Sequence, residues 1–206
     1  MRPVTIAPNP HPVAVMDGQL ESFAPSTVSM ETASMADART ELVYPESVGD
    51  ERQLLVGFLD YFRTVFLRKV EDLDDERARL KVPPSSMDLL GMTRHLADVE
   101  RWWFRCVFTA ETDTGIYESD DDPDLDWHHS RDDTLADALA HWHAEVARAG
   151  EIVTAAPTLD QIGELSTTHH GEISLRWILI HMIEEYARHS GHADYLREAI
   201  DGATGD

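Results

Sequence analysis

Residues 174–202 read SLRWILIHMIEEYARHSGHADYLREAIDG. At about 100° per residue, Leu175, Ile178, Met182, Tyr186, Ala193 and Leu196 fall within an arc of roughly 60° to 140°, taking His181 as zero. That is one apolar stripe on a long helix, predicted over roughly 174–200. Ser174 stands where an N-cap is needed and Gly202 where a helix stops. On the same scale His189 lies near 80°, inside the stripe, and Glu185 near 40°, at its edge. His181 and His192 fall closer to solvent.

A helix with one apolar stripe needs partners, and the preceding sequence supplies three. Residues 133–155 carry Leu135, Leu139, Trp142, Val146, Ala149 and Val153, an alternating four-three seam. Residues 86–109 carry Leu89, Met92, Leu96, Val99, Trp103 and Cys106, with Ser86 as the expected cap. Residues 50–72 carry Leu54, Phe58, Phe62, Val65 and Val70, with Asp50 as the expected cap. No useful strand-like alternation occurs. The expected fold is all-α, a four-helix bundle over residues 46–206. The connection 111–131 contains ESDDDPDLD and reads as a solvated loop; a second loop spans 156–173. Residues 1–45 are rich in Pro, Ser, Thr, Ala and Met without a period, and read as a disordered N-terminal tail. Met16, Met30 and Met35 are each candidate starts.

Composition narrows the function classes. Hydrophobic residues make up 42% of the 206, enough for a core. The net charge of -22 repels a phosphate backbone and an anionic membrane surface, so neither nucleic acid nor membrane is an expected partner. No apolar run approaches about 18 residues, and the N-terminus lacks a signal-peptide pattern, which makes the cytoplasm the expected location. The single cysteine, Cys106, excludes an internal disulfide and a CxxC site, and reads as core.

The chemistry concentrates on two helices. Glu185 and His189, four apart, share one face of the last helix. His95 lies inside the stripe of the second, where a polar side chain needs a partner. Meeting across the bundle, the three could grip one divalent ion and leave it an open position. Against this, a core histidine is usually only hydrogen-bonded, and a helical Glu–His pair is usually a surface pair. Spacing alone leaves both open. His128, His129, His169 and His170 read as exposed loop residues, and His141 and His143 point to different faces. Trp102 and Trp103 read as core. Asp98, Glu184 and Arg188 neighbour the ligands in sequence without an assigned role.

Three stretches, DERQLLVGFLDYFR (50–63), VPPSSMDLLGMTRHLADVERWWF (82–104) and residues 174–202, together resemble the DinB-like superfamily. The likeness is greatest to its actinobacterial branch, similar to mycothiol-dependent maleylpyruvate isomerase. The resemblance implies one divalent metal, zinc as the usual ion, held by a histidine of the second helix and two residues four apart on the last. Glu then His, as at Glu185 and His189, matches the mycothiol branch. It also implies thiol transfer or isomerisation of a small electrophile with mycothiol or another low-molecular-weight thiol. The isomerase carries a further C-terminal domain, whereas this sequence ends at Asp206, so maleylpyruvate isomerisation is not carried over. A metal-binding bundle without catalysis, serving as sensor or assembly module, is the alternative. An oxygen-using non-heme iron enzyme is the third, since two histidines and a carboxylate also form an iron triad. A homodimer is a further assembly open to such a bundle.

If residues 1–34 do not support the bundle, a chain beginning at Met35 keeps its metal content. Its thermal midpoint, measured by calorimetry, then stays within about 2 °C of the full chain's, the scale of a change below about 1 kcal/mol.

Overall fold

The computed structural model describes residues 39–119, 121–167 and 170–205. Four long helices carry the described residues, and no strand forms among them. α1 (Glu51–Val70) starts at a capping box. The Asp50 carboxylate accepts from Gln53 N at 2.9 Å, and the Gln53 side chain accepts from Asp50 N at 3.0 Å. α2 (Asp75–Ala78) is a single turn. α3 (Leu89–Glu100) runs without a break into wider π-helical turns over Arg101–Phe108. α4 (Leu135–Ala155) is capped by Thr134. α5 (Leu175–Asp201) is capped by Ser174 and stopped by Gly202, whose φ of 77° suits glycine.

α1 packs chiefly on α5, and α3 on α4, with α5 also touching α3. The fold is the expected all-α bundle. Two details differ from the sequence reading. The cap of α3 is Asp88, not Ser86: its buried carboxylate accepts from Gly91 N at 2.8 Å and is also held by His129 Nε2 at 3.0 Å. On α1, Phe58 lies on the surface at 44% exposure, and the buried line is Leu59, Arg63, Phe66 and Val70. Apolar residues spread over roughly two thirds of the α1 circumference, so periodicity left its inner face open. Arg63 chooses it.

The reason is a buried polar chain through the bundle. Arg63 of α1 donates through Nε and Nη2 to the two oxygens of Glu100 on α3, each at 2.7 Å. Tyr186 of α5 donates its hydroxyl to Glu100 at 2.8 Å and accepts from Trp142 Nε1 of α4 at 2.7 Å. Glu100 and Tyr186 have no exposure. A buried charge without partners is costly, and here each group has them.

The loops are tied down too. The loop after α4 docks on the π-helical end of α3. Glu164 N and Leu165 N donate to the carbonyls of Phe108 and Val107 at 3.1 and 3.0 Å. Gly163 permits that approach, since a Cβ there would stand 2.8 Å from Val107 O. The acidic stretch 111–131, expected to be solvated, is partly folded onto α3. Asp98 accepts from Ile116 N at 2.5 Å, and Arg94 donates to the carbonyls of Leu125 and Asp126 at 2.7 and 3.0 Å. Helix carboxylates and guanidinium groups thus satisfy loop backbone that a solvated loop would leave to water.

Residues 1–38, most of the expected tail, lie outside the described residues. Residues 39–45 have no regular structure but meet the end of α1. Arg39 pairs with Asp72 at 3.1 Å, and Thr40 donates its hydroxyl to Glu71 at 2.7 Å.

Glu100→Ala strands Arg63 in the core and is expected to cost about 3–5 kcal/mol. Tyr186→Phe leaves Trp142 Nε1 without its acceptor and is expected to cost less, about 1–3 kcal/mol. Urea denaturation of both variants checks the order.

Candidate metal centre

α3 presents His95 and α5 presents Glu185 and His189 toward one point. Their ligand atoms all lie within 4.8 Å of one another. His95 Nε2 is 3.4 Å and His189 Nε2 3.2 Å from the same oxygen, Glu185 Oε1, while Arg188 reaches Glu185 Oε2 at 3.2 Å. Glu185 and His189 are buried. His95 is more open and borders a pocket of about 330 Å³. The helix pairing explains the meeting: Tyr186, locked by Glu100 and Trp142, follows Glu185 directly and sets the rotation of α5 against α3.

The other ring nitrogen of His95, Nδ1, is 2.7 Å from Asp126 Oδ2. An ionised carboxylate only accepts, so the neutral ring carries its proton on Nδ1 and a lone pair on Nε2. That lone pair faces a carboxylate oxygen. Two acceptors at such range need a positive group between them, a proton or a metal cation. The three residues therefore fit a divalent ion, and two imidazoles with one carboxylate suit zinc or iron.

The electrostatics agree. Burial works against a charged His95, but its hydrogen bonds to Asp126 and Glu185 outweigh that and push its pKa up to about 9. Hydrogen bonds from His189 and His95 hold the Glu185 carboxyl well below its usual range. The site draws positive charge.

The remaining sequence candidates stand elsewhere. His181 stacks on Trp177 at 5.0 Å and meets Trp103 edge-on at 4.8 Å, outside the triad. His192 touches the His189 ring edge-on at 5.5 Å and adds no ligand atom to it. His128 is exposed beside Asp122. His129, expected in solvent, is largely covered and bonds to Asp88. His141 accepts or donates to the Tyr117 hydroxyl at 2.8 Å. His169 lies outside the described residues, and His170 sits 5.0 Å from Trp177. Cys106 and Trp103 are core, as expected. Trp102, expected there too, is 41% exposed and lines the pocket. Glu184 pairs with Arg188 on the surface.

Sequence reasoning missed Asp126 and Trp127. The Trp127 ring lies 5.1 Å from that of His95 and 6.2 Å from that of His189. The available signal was a tryptophan alone in an acidic run, a large apolar side chain that a solvated loop gives no place to bury.

A pH dependence follows for protein stripped by chelator. A His95 pKa of about 9, above the unfolded value near 6.5, gives stabilisation that is full below about pH 6.5 and lost as pH rises through about 9. The thermal midpoint of the stripped protein is expected to fall over that window. His95→Gln should flatten the fall, and a bound divalent ion, replacing the proton, should abolish it.

Residues 54–202 match the family model described as mycothiol S-transferase. No curated protein matches the chain. The match takes in most of α1 and the whole of α3, α4 and α5, and with them all three candidate ligands. The chain belongs to the mycothiol S-transferase family, within the DinB-like superfamily.

Proposed function

We propose that the chain is a metal-dependent S-transferase, in which His95, Glu185 and His189 hold one divalent ion, zinc by preference, and a cytoplasmic low-molecular-weight thiol, mycothiol or a relative, reacts with a small electrophile. The observation that carries the reading is the convergence of the three ligand atoms beside a pocket that His95 lines. A purely structural site needs no such pocket. Family membership supports the thiol.

When bound, the ion supplies Lewis acidity that favours thiolate over thiol near neutral pH. The chain's own residues do the rest. Glu185 and His189 close the centre on the α5 side. His95 marks the side from which reactants arrive. Trp102 and Tyr117 offer apolar faces to the pocket. In the transfer a sulfur–carbon bond forms with the thiolate electron pair. The electrophile's leaving group departs with its own pair, or an added proton completes an addition. Asp98, Glu118 and Asp126 line the pocket, and no Lys or Arg is among its described lining residues. A carboxylate-bearing thiol or electrophile is therefore disfavoured against an uncharged one of equal size.

Cobalt substitution tests the centre. His189→Ala is expected to lose the ion, while His181→Ala and His192→Ala keep it. Adding an uncharged thiol to the cobalt protein is expected to raise an intense sulfur-to-cobalt band in the near ultraviolet. Stoichiometric metal in the His189 variant sinks the ligand assignment. A cobalt spectrum indifferent to thiols leaves a metal-binding module without this catalysis.

A further inference from the structure

The loop between α3 and α4 is held to α3 on both sides of His95. One residue before the histidine, Arg94 donates to the carbonyls of Leu125 and Asp126. It also pairs with Asp133 at 3.0 Å and lies over the Tyr117 ring at 4.0 Å. Three residues after it, Asp98 takes the backbone N–H groups of Ile116 and Tyr117. Between these two clamps the loop delivers Asp126 to His95 Nδ1 at 2.7 Å and lays Trp127 against the ring. The second carboxylate oxygen of Asp126 accepts from Trp127 N at 3.0 Å, which fixes the carboxylate's own orientation.

From this geometry we infer that Asp126 is a positioning residue for the centre. It selects the Nδ1–H tautomer of His95, aims Nε2 at the ion and strengthens it as a ligand. The inference rests on the metal-site reading above and gives Asp126 a role beyond lining the pocket. A neutral imidazole has two tautomers of similar energy, and only one leaves Nε2 free to ligate. An acceptor at Nδ1 decides between them, and a carboxylate acceptor also raises the donor strength of the ligating nitrogen. His189 has no such help. Its Nδ1 is buried and has no hydrogen-bond partner among the described residues. Among the described residues, His95 is the ligand imidazole whose outer nitrogen has a hydrogen-bond acceptor. The acidic loop is then part of the centre and not a spacer.

The test is equilibrium affinity for zinc alone, measured on the full chain by competition with a chromophoric chelator. Asp126→Asn keeps the shape and removes the charge, and is expected to weaken zinc binding about 10–100-fold. Asp126→Glu, which keeps the charge on a longer arm, is expected to fall between. Imidazole ¹⁵N spectra of the zinc-free protein, taken at alkaline pH where the His95 ring is neutral, give a readout that mere loosening of the loop does not move. The wild type should show His95 protonated at Nδ1, and Asp126→Asn should lose that fixed tautomer. Unchanged affinity in both variants, with wild-type protein binding zinc, overturns the inference alone. A wild-type chain that binds no zinc overturns the metal-site reading beneath it.

Discussion

The Glu100 carboxylate has no exposure to water, and the rest of the bundle is arranged so that it need not have any. Arg63 neutralises it from α1, Tyr186 donates to it from α5, and Trp142 of α4 completes the chain through the Tyr186 hydroxyl. Hydrophobic packing is non-directional and would tolerate several rotations of an apolar helix. A buried charge with two fixed partners, one of them held in turn by Trp142, does not. Turning α5 far enough to carry Glu185 away from His95 would pull Tyr186 off Glu100 and leave Trp142 Nε1 without an acceptor. The cost of a buried polar group left unpaired, about 1–3 kcal/mol for a neutral one and more for a charge, opposes that motion. The ligand geometry is thus secured from the residue next door.

The candidate centre is closed on one side and open on the other. On the closed side α5 buries Glu185 and His189 against the core. On the open side the wall is loop, and a loop can be a precise wall only if its backbone is anchored. Arg94 and Asp98 provide that anchoring, each a charged side chain of α3 spent on loop backbone. Their positions flanking His95 mean that the helix which offers the ligand also places the loop around it.

What the sequence made legible was what repeats. The stripe of α5, the caps at Asp50 and Ser174, the stop at Gly202 and the shared face of Glu185 and His189 follow from helical period or from end chemistry, whereas grouping those two with His95 as one site leaned on the family resemblance. What stayed hidden was either charged or aperiodic. Arg63 and Glu100 interrupt the apolar pattern of their helices, so a search for apolar stripes passed over the pair that orients the bundle and put Phe58 inside in place of Leu59. Asp88, not Ser86, caps α3, and its carboxylate also meets His129, forty-one residues later, a contact no local pattern announces. Asp126 lies in a run of acids with nothing local to separate it from its neighbours. The π-helical turns of RWWFRCVF left no mark either, since apolar and basic residues there suit either pitch.

Pocket size constrains how two reactants could share this centre. A volume of about 330 Å³ is at the lower end of small-molecule sites, which span roughly 300–1,000 Å³. Because α5 closes the other side, thiol and electrophile would have to enter through the same mouth. Such a space suits the reactive end of a thiol together with a small electrophile, while the remainder of a larger thiol extends past Trp102 toward solvent. The half-exposed Trp102 ring is the natural surface for that remainder to lie on, because a large apolar face at a pocket rim gains burial when it is covered. Selectivity for the thiol would then be read at the rim and selectivity for the electrophile beside His95. The two would respond separately to substitution: Trp102→Ala should raise the KM for the thiol with little effect on the ranking of electrophiles, and steady-state kinetics with each reactant varied in turn distinguishes the two.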